Sequence, residues 1–129
     1  MLELALLSPW IIFLFIGALD WGFYAYSLIT LEDATRAAVT YAASGSSNYT
    51  QTAAICTIVT DEMKTLIKMN GSATCGGSSP VSISSTQVTG PDNATAVQVS
   101  VTYTTPQMIP IPGLLAKQFT ITRSLTMKL

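Results

Sequence analysis

The sequence predicts an α+β protein: a long N-terminal helix, then a small head with a second helix and an antiparallel sheet of three or four strands. Three observations carry that expectation. Residues 4–19 contain no charge, and after Asp20 the uncharged run resumes from Trp21 to Leu31, a length sufficient for a helix to cross about 30 Å of hydrocarbon. Ile55, Ile58, Val59, Met63, Leu66 and Ile67 recur at helical spacing, and Val97, Val99, Val101 and Tyr103 alternate as in a half-buried strand. The expected division is residues 1–45 for the long helix and 46–129 for the head.

Composition narrows the function classes. Of 129 residues 49% are hydrophobic and 10% charged, far below the roughly 25% charge of an ordinary soluble chain. Much of the surface is therefore Ser, Thr, Asn and Gly, or is covered by something else. A net charge of -1 supplies neither a nucleic-acid footprint nor a polybasic membrane patch. With no histidine, no phosphate-binding glycine motif and scattered carboxylates, nothing resembles a catalytic arrangement, and no cofactor or metal is expected.

The N-terminal run reads as more than a plain anchor. A signal peptide would carry a positive n-region and a clean small-residue cleavage site, and a single-pass anchor leaves Glu3 and Asp20 without partners inside an apolar stretch. Isolated carboxylates in hydrocarbon are costly and usually face protein, so the two acids point to a bundle of such helices. Pro9 removes one backbone bond and bends a helix, which serves equally as an anchor kink or as an assembly feature. Gly17 and Gly22 allow close helix approach without the GxxxG spacing. The aromatic residues from Trp10 to Tyr26 could be imagined as a conducting stack, but the plainer reading is that Phe fills apolar contacts while Trp and Tyr favour interfaces.

Beyond Leu31 the helix becomes amphipathic through Leu31, Ala34, Ala38 and Tyr41, with Glu32 four residues before Arg36 in the favourable order. Gly45 is a suitable stop. Asn48-Tyr49-Thr50-Gln51 has the spacing of a capping box, opening a second helix of about five turns that ends at Asn70-Gly71. Val81 and Ile83 mark a weaker first strand, and Phe119, Ile121, Leu125, Met127 and Leu129 a last one. Arg123 falls at an inward position of that alternation, where it pairs with an acid, snorkels, or lies at a subunit contact. The link from Pro106 to Leu115 is too proline-rich for a central strand and unusually apolar for a loop. Ile109, Ile111, Leu114 and Leu115 either fold back over the head's core or touch a neighbouring subunit.

Cys56 and Cys75 are the two cysteines. Without histidine they cannot complete an ordinary structural zinc site, and they lack the CxxC redox spacing. Bridged, they close a loop of about twenty residues and contribute on the order of 3 kcal/mol; a disulfide is the reading adopted over free thiols, and it implies an extracytoplasmic head. Sequons begin at Asn48, Asn70 and Asn93, candidates for glycosylation, although Asn48 and Asn70 also have simpler capping roles.

Met1-Leu2-Glu3-Leu4-Ala5-Leu6-Leu7-Ser8-Pro9, then Ile11 to Gly17, an acid at Asp20 and Gly22, resembles the N-terminal signature of TadE-like proteins, pilin-related components of the tight-adherence pilus system. The likeness continues through Tyr26, Leu31, Ala34, Arg36, Ala37 and Ala38 to Tyr41-Ala42-Ala43, and the tail from Val99 to Tyr103 and from Phe119 to Lys128 is a softer match. The resemblance implies a pilus-like structural subunit. Its helix rests in the inner or cytoplasmic membrane before assembly and then joins a helical core in a cell-surface filament, with related subunits, a prepilin peptidase and assembly machinery as partners. Glu3 matches the family's acid, which pairs with a neighbour's amino group. The usual pattern places that acid fifth after the cut, whereas here it is third from Met1, so either this chain starts inside the mature terminus or processing differs. Two rivals remain: a minor pseudopilin that primes or caps a fibre, and a membrane-tethered binding module.

Overall fold

The computed structural model describes residues 2–70, 74–77, 79–90, 92–106 and 118–129, with side chains described from residue 6 onward and not for 68–70. Helix α1 runs Leu2–Ala43, about 60 Å of α-helix. A single 3₁₀ turn at Asn48–Thr50 leads into α2 (Thr52–Glu62) and α3 (Lys64–Asn70). Three strands follow, β1 (Val81–Thr89), β2 (Thr95–Thr104) and β3 (Thr120–Lys128), in the antiparallel order β1-β2-β3.

The second half of α1 is a core helix of the head. Leu31, Ala34, Ala38, Val39 and Ala42 are buried together with Ile55, Val59, Met63, Leu66 and Ile67 and with the helix-facing side of the sheet. Alanines four residues apart let α1 and α2 approach closely, because no long ridge separates the two backbones. Four hydroxyls along the second half of α1 are satisfied within the helix: Ser27 donates to the Phe23 carbonyl, Thr30 to Tyr26, Thr35 to Leu31 and Thr40 to Arg36. Such i−4 bonds remove the need for water around polar groups on an apolar helix. Glu32 and Arg36 form the expected ion pair, with N···O 2.6 Å.

Helix α1 ends at Ala43, just before Gly45. Two local expectations change. The capping box does not form: Gln51, not Asn48, precedes α2 and makes no side-chain cap. The Asn48 amide instead donates to the Tyr41 carbonyl and the Ser44 hydroxyl, at 3.4 and 3.0 Å, so it satisfies the end of α1 rather than the start of α2. The expected five-turn helix is broken at Met63, which lies between α2 and α3. Met63, Leu66 and Ile67 are nonetheless all buried, so the break keeps the apolar face against the core.

In the sheet, Val97, Val99, Val101 and Tyr103 of β2 are fully buried, as a central strand's inward residues should be. Register pairs Val81 with Tyr103 and Ile83 with Val101 on one side, and Ile121 with Tyr103 and Leu125 with Val99 on the other. On the solvent face Thr102 and Thr122 hydroxyls meet at 2.9 Å. The base of the 106–118 link is closed by the Thr105 amide donating to the Phe119 carbonyl at 2.8 Å and the Phe119 amide donating to the Thr105 hydroxyl at 3.1 Å. Ile109, Ile111, Leu114 and Leu115 lie outside the described residues.

A disulfide joins Cys56 on α2 to Cys75, with Cα atoms 5.9 Å apart. Cys75 bridges to Val81 at the start of β1, so the bond ties the helical layer to the sheet. Gly76 and Gly77, with φ of 84° and 64°, occupy left-handed backbone where a Cβ would be strained, and this lets the chain turn sharply from the disulfide into β1.

Candidate functional site

The feature that the head does not use for its own stability is the first half of α1. Residues 6–15 are all exposed, and Leu6, Leu14 and Trp21 remain 77%, 71% and 75% exposed. Leu6–Ala43 is long and apolar enough to cross a membrane. From residue 6 to 22 this bare stalk is about 25 Å long. Large apolar side chains disposed all round a helix call for an apolar surrounding on every side, either lipid or other helices.

Pro9 lies inside α1 and lines, with Trp10 and Phe13, an apolar recess of about 320 Å³. Its missing N–H leaves the Ala5 carbonyl without its usual partner. Glu3 is on the first turn of the same helix, with its side chain outside the described set. Asp20 is half-buried where the stalk meets the head. There it lines a second recess of about 250 Å³ with Trp21, Tyr24 and Phe119. Tyr24 stacks edge-on with Trp21 at 6.2 Å and with Phe119 at 5.9 Å, so aromatic rings join the stalk to the foot of β3.

Strand β3 is an edge strand whose helix-facing side is only partly covered. Ile121 is buried and Leu125 half-buried, whereas Phe119, Arg123, Met127 and Leu129 on the same side are exposed. Arg123 stands opposite Val101, in the inward register that the alternation predicts, yet it reaches solvent and has no ion pair among the described residues. The other described cations, Arg36, Lys64 and Lys128, are each paired with an acid. Of the sequon asparagines, Asn93 is exposed at the β1–β2 turn with φ 58°, Asn48 is held by its two hydrogen bonds, and the side chain of Asn70 is outside the described set.

The apolar stalk with its embedded acids is also where the chain resembles known proteins. Residues 1–40 match the family model described as TadE-like protein. Over this helix the chain is similar to TadE-like proteins. That family is pilus-associated, which agrees with the likeness read from Glu3, Pro9, Asp20 and the alanine face. No curated protein and no solved structure matches the chain. The head after residue 40 therefore rests on its own geometry.

Among the described residues no group of three or more His, Cys, Asp or Glu is placed to hold a metal ion. The acids that are near cations serve ion pairs at the surface. Asp92 is the clearest case: its Lys128 partner, with N···O 2.8 Å, and the Ala94 amide hold its carboxyl below the usual carboxylate range. The pair fastens the end of β3 to the β1–β2 turn. The β3 strip and the Asp20 recess were not identifiable from alternation alone, because that pattern shows which face a residue takes but not how far a tilted helix covers it.

Proposed function

We propose that this chain is a structural subunit of an extracellular pilus-like filament, built by packing the bare halves of α1 against one another with the heads outside. The observation that carries this reading is a single helix with two environments: its second half is the core of a disulfide-tied head, and its first half exposes Leu, Ile, Phe and Trp on all sides. Before assembly the same apolar half rests in the cytoplasmic membrane, as its length allows. Burying it against like helices exchanges one apolar environment for another, so the transfer carries little hydrophobic penalty.

Glu3 is the register device in this proposal. A carboxylate meeting a neighbouring subunit's amine in a dry bundle is neutralised, while either group left alone is penalised. Pro9 assists by bending the stalk near that point. The prepilin peptidase and the pilus assembly machinery are the expected handling partners. The apolar link residues Ile109, Ile111, Leu114 and Leu115 are proposed as a lateral contact, and Asn93 is the sequon most available for sugar.

Immunoelectron microscopy of the sheared cell-surface fraction, with antibody against the head, tests the reading. Continuous label along filaments is the expected result. Label at tips alone would favour a minor pseudopilin that primes or caps a fibre, a role the same family match accommodates. Label on membrane fragments alone would favour a tethered binding module. A Glu3→Ala chain that assembles as efficiently as wild type would remove Glu3 from its proposed role.

A further inference from the structure

The fold leaves two charges in places where assembly would dry them. Among the described acids, Glu32, Asp61 and Asp92 are in ion pairs, and Asp33 and Glu62 are exposed on the head, where water solvates them. Asp20 differs because it is half-buried at the base of an apolar stalk, beside Trp21, Tyr24 and Phe119. If stalks pack as proposed above, water leaves this recess, and an unpaired carboxylate there would oppose assembly.

The matching cation is Arg123. It sits in the partly covered strip of β3 between Phe119, which is 53% exposed, and Met127, which is 44% exposed. No acid of the same chain pairs with it among the described residues, and Asp20 is not within ion-pair distance of it in the chain. A guanidinium suits such a place: it is weakly hydrated and presents a planar fork to a carboxylate. The strip is apolar with one positive charge, and the stalk near its head is apolar with one negative charge.

We propose that Asp20 of one copy is bound by Arg123 of a neighbouring copy, with the foot of the first copy's stalk against the second copy's β3 strip. The contact makes the assembly heterologous, head to stalk, so it propagates rather than closing into a pair. It rests on the self-packing reading of the stalk and adds to it a second registration point, about 25 Å from Glu3 along α1.

Thiol cross-linking of the full-length chain in membranes tests the pairing. Asp20→Cys and Arg123→Cys chains with different tags are co-expressed and treated with a short bismaleimide; the native cysteines are bonded to each other and do not react. A covalent dimer carrying both tags, at least tenfold above the yield from Asp33→Cys mixed with Arg123→Cys, is the expected result. Phe13→Cys, on the bare stalk, reports stalk packing independently. Phe13→Cys dimers without the mixed Asp20→Cys and Arg123→Cys dimer would overturn the pairing and leave stalk packing standing. Absence of both products would overturn both.

Discussion

The hydroxyl of Ser85 lies on the helix-facing side of β1, opposite Val99, with no hydrogen-bond partner among the described residues. A buried donor left unsatisfied costs about 1–3 kcal/mol, so Ser85→Ala should raise stability by about 1 kcal/mol, read from denaturant unfolding of the full chain in detergent. Unchanged or lower stability would mean that the hydroxyl is satisfied by water. Tyr103 gives the opposite case: its ring is fully buried and its hydroxyl donates toward the Leu66 carbonyl at 3.4 Å. Burial pushes the phenol above its ordinary value of about 10. The folded state therefore keeps a proton that the unfolded chain releases, and stability is full below pH 10 and falls as pH rises from there toward the folded value. In Tyr103→Phe that part of the alkaline loss should vanish, which a pH series of melting temperatures would show. Asp92 works in the reverse sense: its lowered value makes its contribution present above about pH 4 and lost as pH falls through the folded value, although exposure and salt keep it small. The identity of these residues was legible in the sequence, but their states were not. Alternation placed Arg123 on the inward face, but only the packing of the helical layer on the sheet decides that Arg123 is open to solvent while the Ser85 hydroxyl is sealed.

At the scale of elements, the strongly periodic segments were readable and the junctions were not. The β2 alternation and the apolar face of residues 55–67 each repeat one physical requirement several times, so a local disturbance does not hide them. The start of α2 depended on one asparagine, and Asn48 had a competing use at the end of α1, where its amide joins the Ser44 amide and hydroxyl in donating to the Tyr41 carbonyl. The break at Met63 was hidden because the apolar residues on both sides keep helical spacing. The disulfide compensates for this interrupted helical layer by tying α2 to the approach to β1. A Cys56→Ser, Cys75→Ser chain should lose about 3 kcal/mol of head stability, the loop-closure value for a bridge of this separation. A loss below about 1 kcal/mol would show that the helical layer and sheet hold together without it. Leu66→Ala, at a fully buried site on α3, should cost about 2–5 kcal/mol through the cavity it leaves. Denaturant midpoints of the two variants, compared with wild type, would rank the staple against the packing.

Across the whole molecule, one helix links two environments: its second half is buried in the head's core, and its first half leaves its apolar surface exposed. This separation was legible from the uncharged run and the later amphipathic stretch, since the change of pattern along α1 occurs where its environment changes. The β3 strip could not be read the same way, because it arises from incomplete coverage of one element by another. If the two halves are energetically separate, a charge in the stalk should affect assembly without affecting the head. Leu14 is 71% exposed and lies outside the head's core cluster, so Leu14→Asp should change the head's unfolding free energy by no more than about 0.5 kcal/mol, as for other exposed sites. In a packed bundle the same carboxylate would be dehydrated without a partner, and even the milder insertion scales put that cost at about 2.5–3.5 kcal/mol per subunit. Filament yield should therefore collapse while the head's melting temperature in detergent stays within a few degrees of wild type. Normal filaments from Leu14→Asp would place the stalk outside the packed core, and a large fall in head stability would show that stalk and head fold as one cooperative unit.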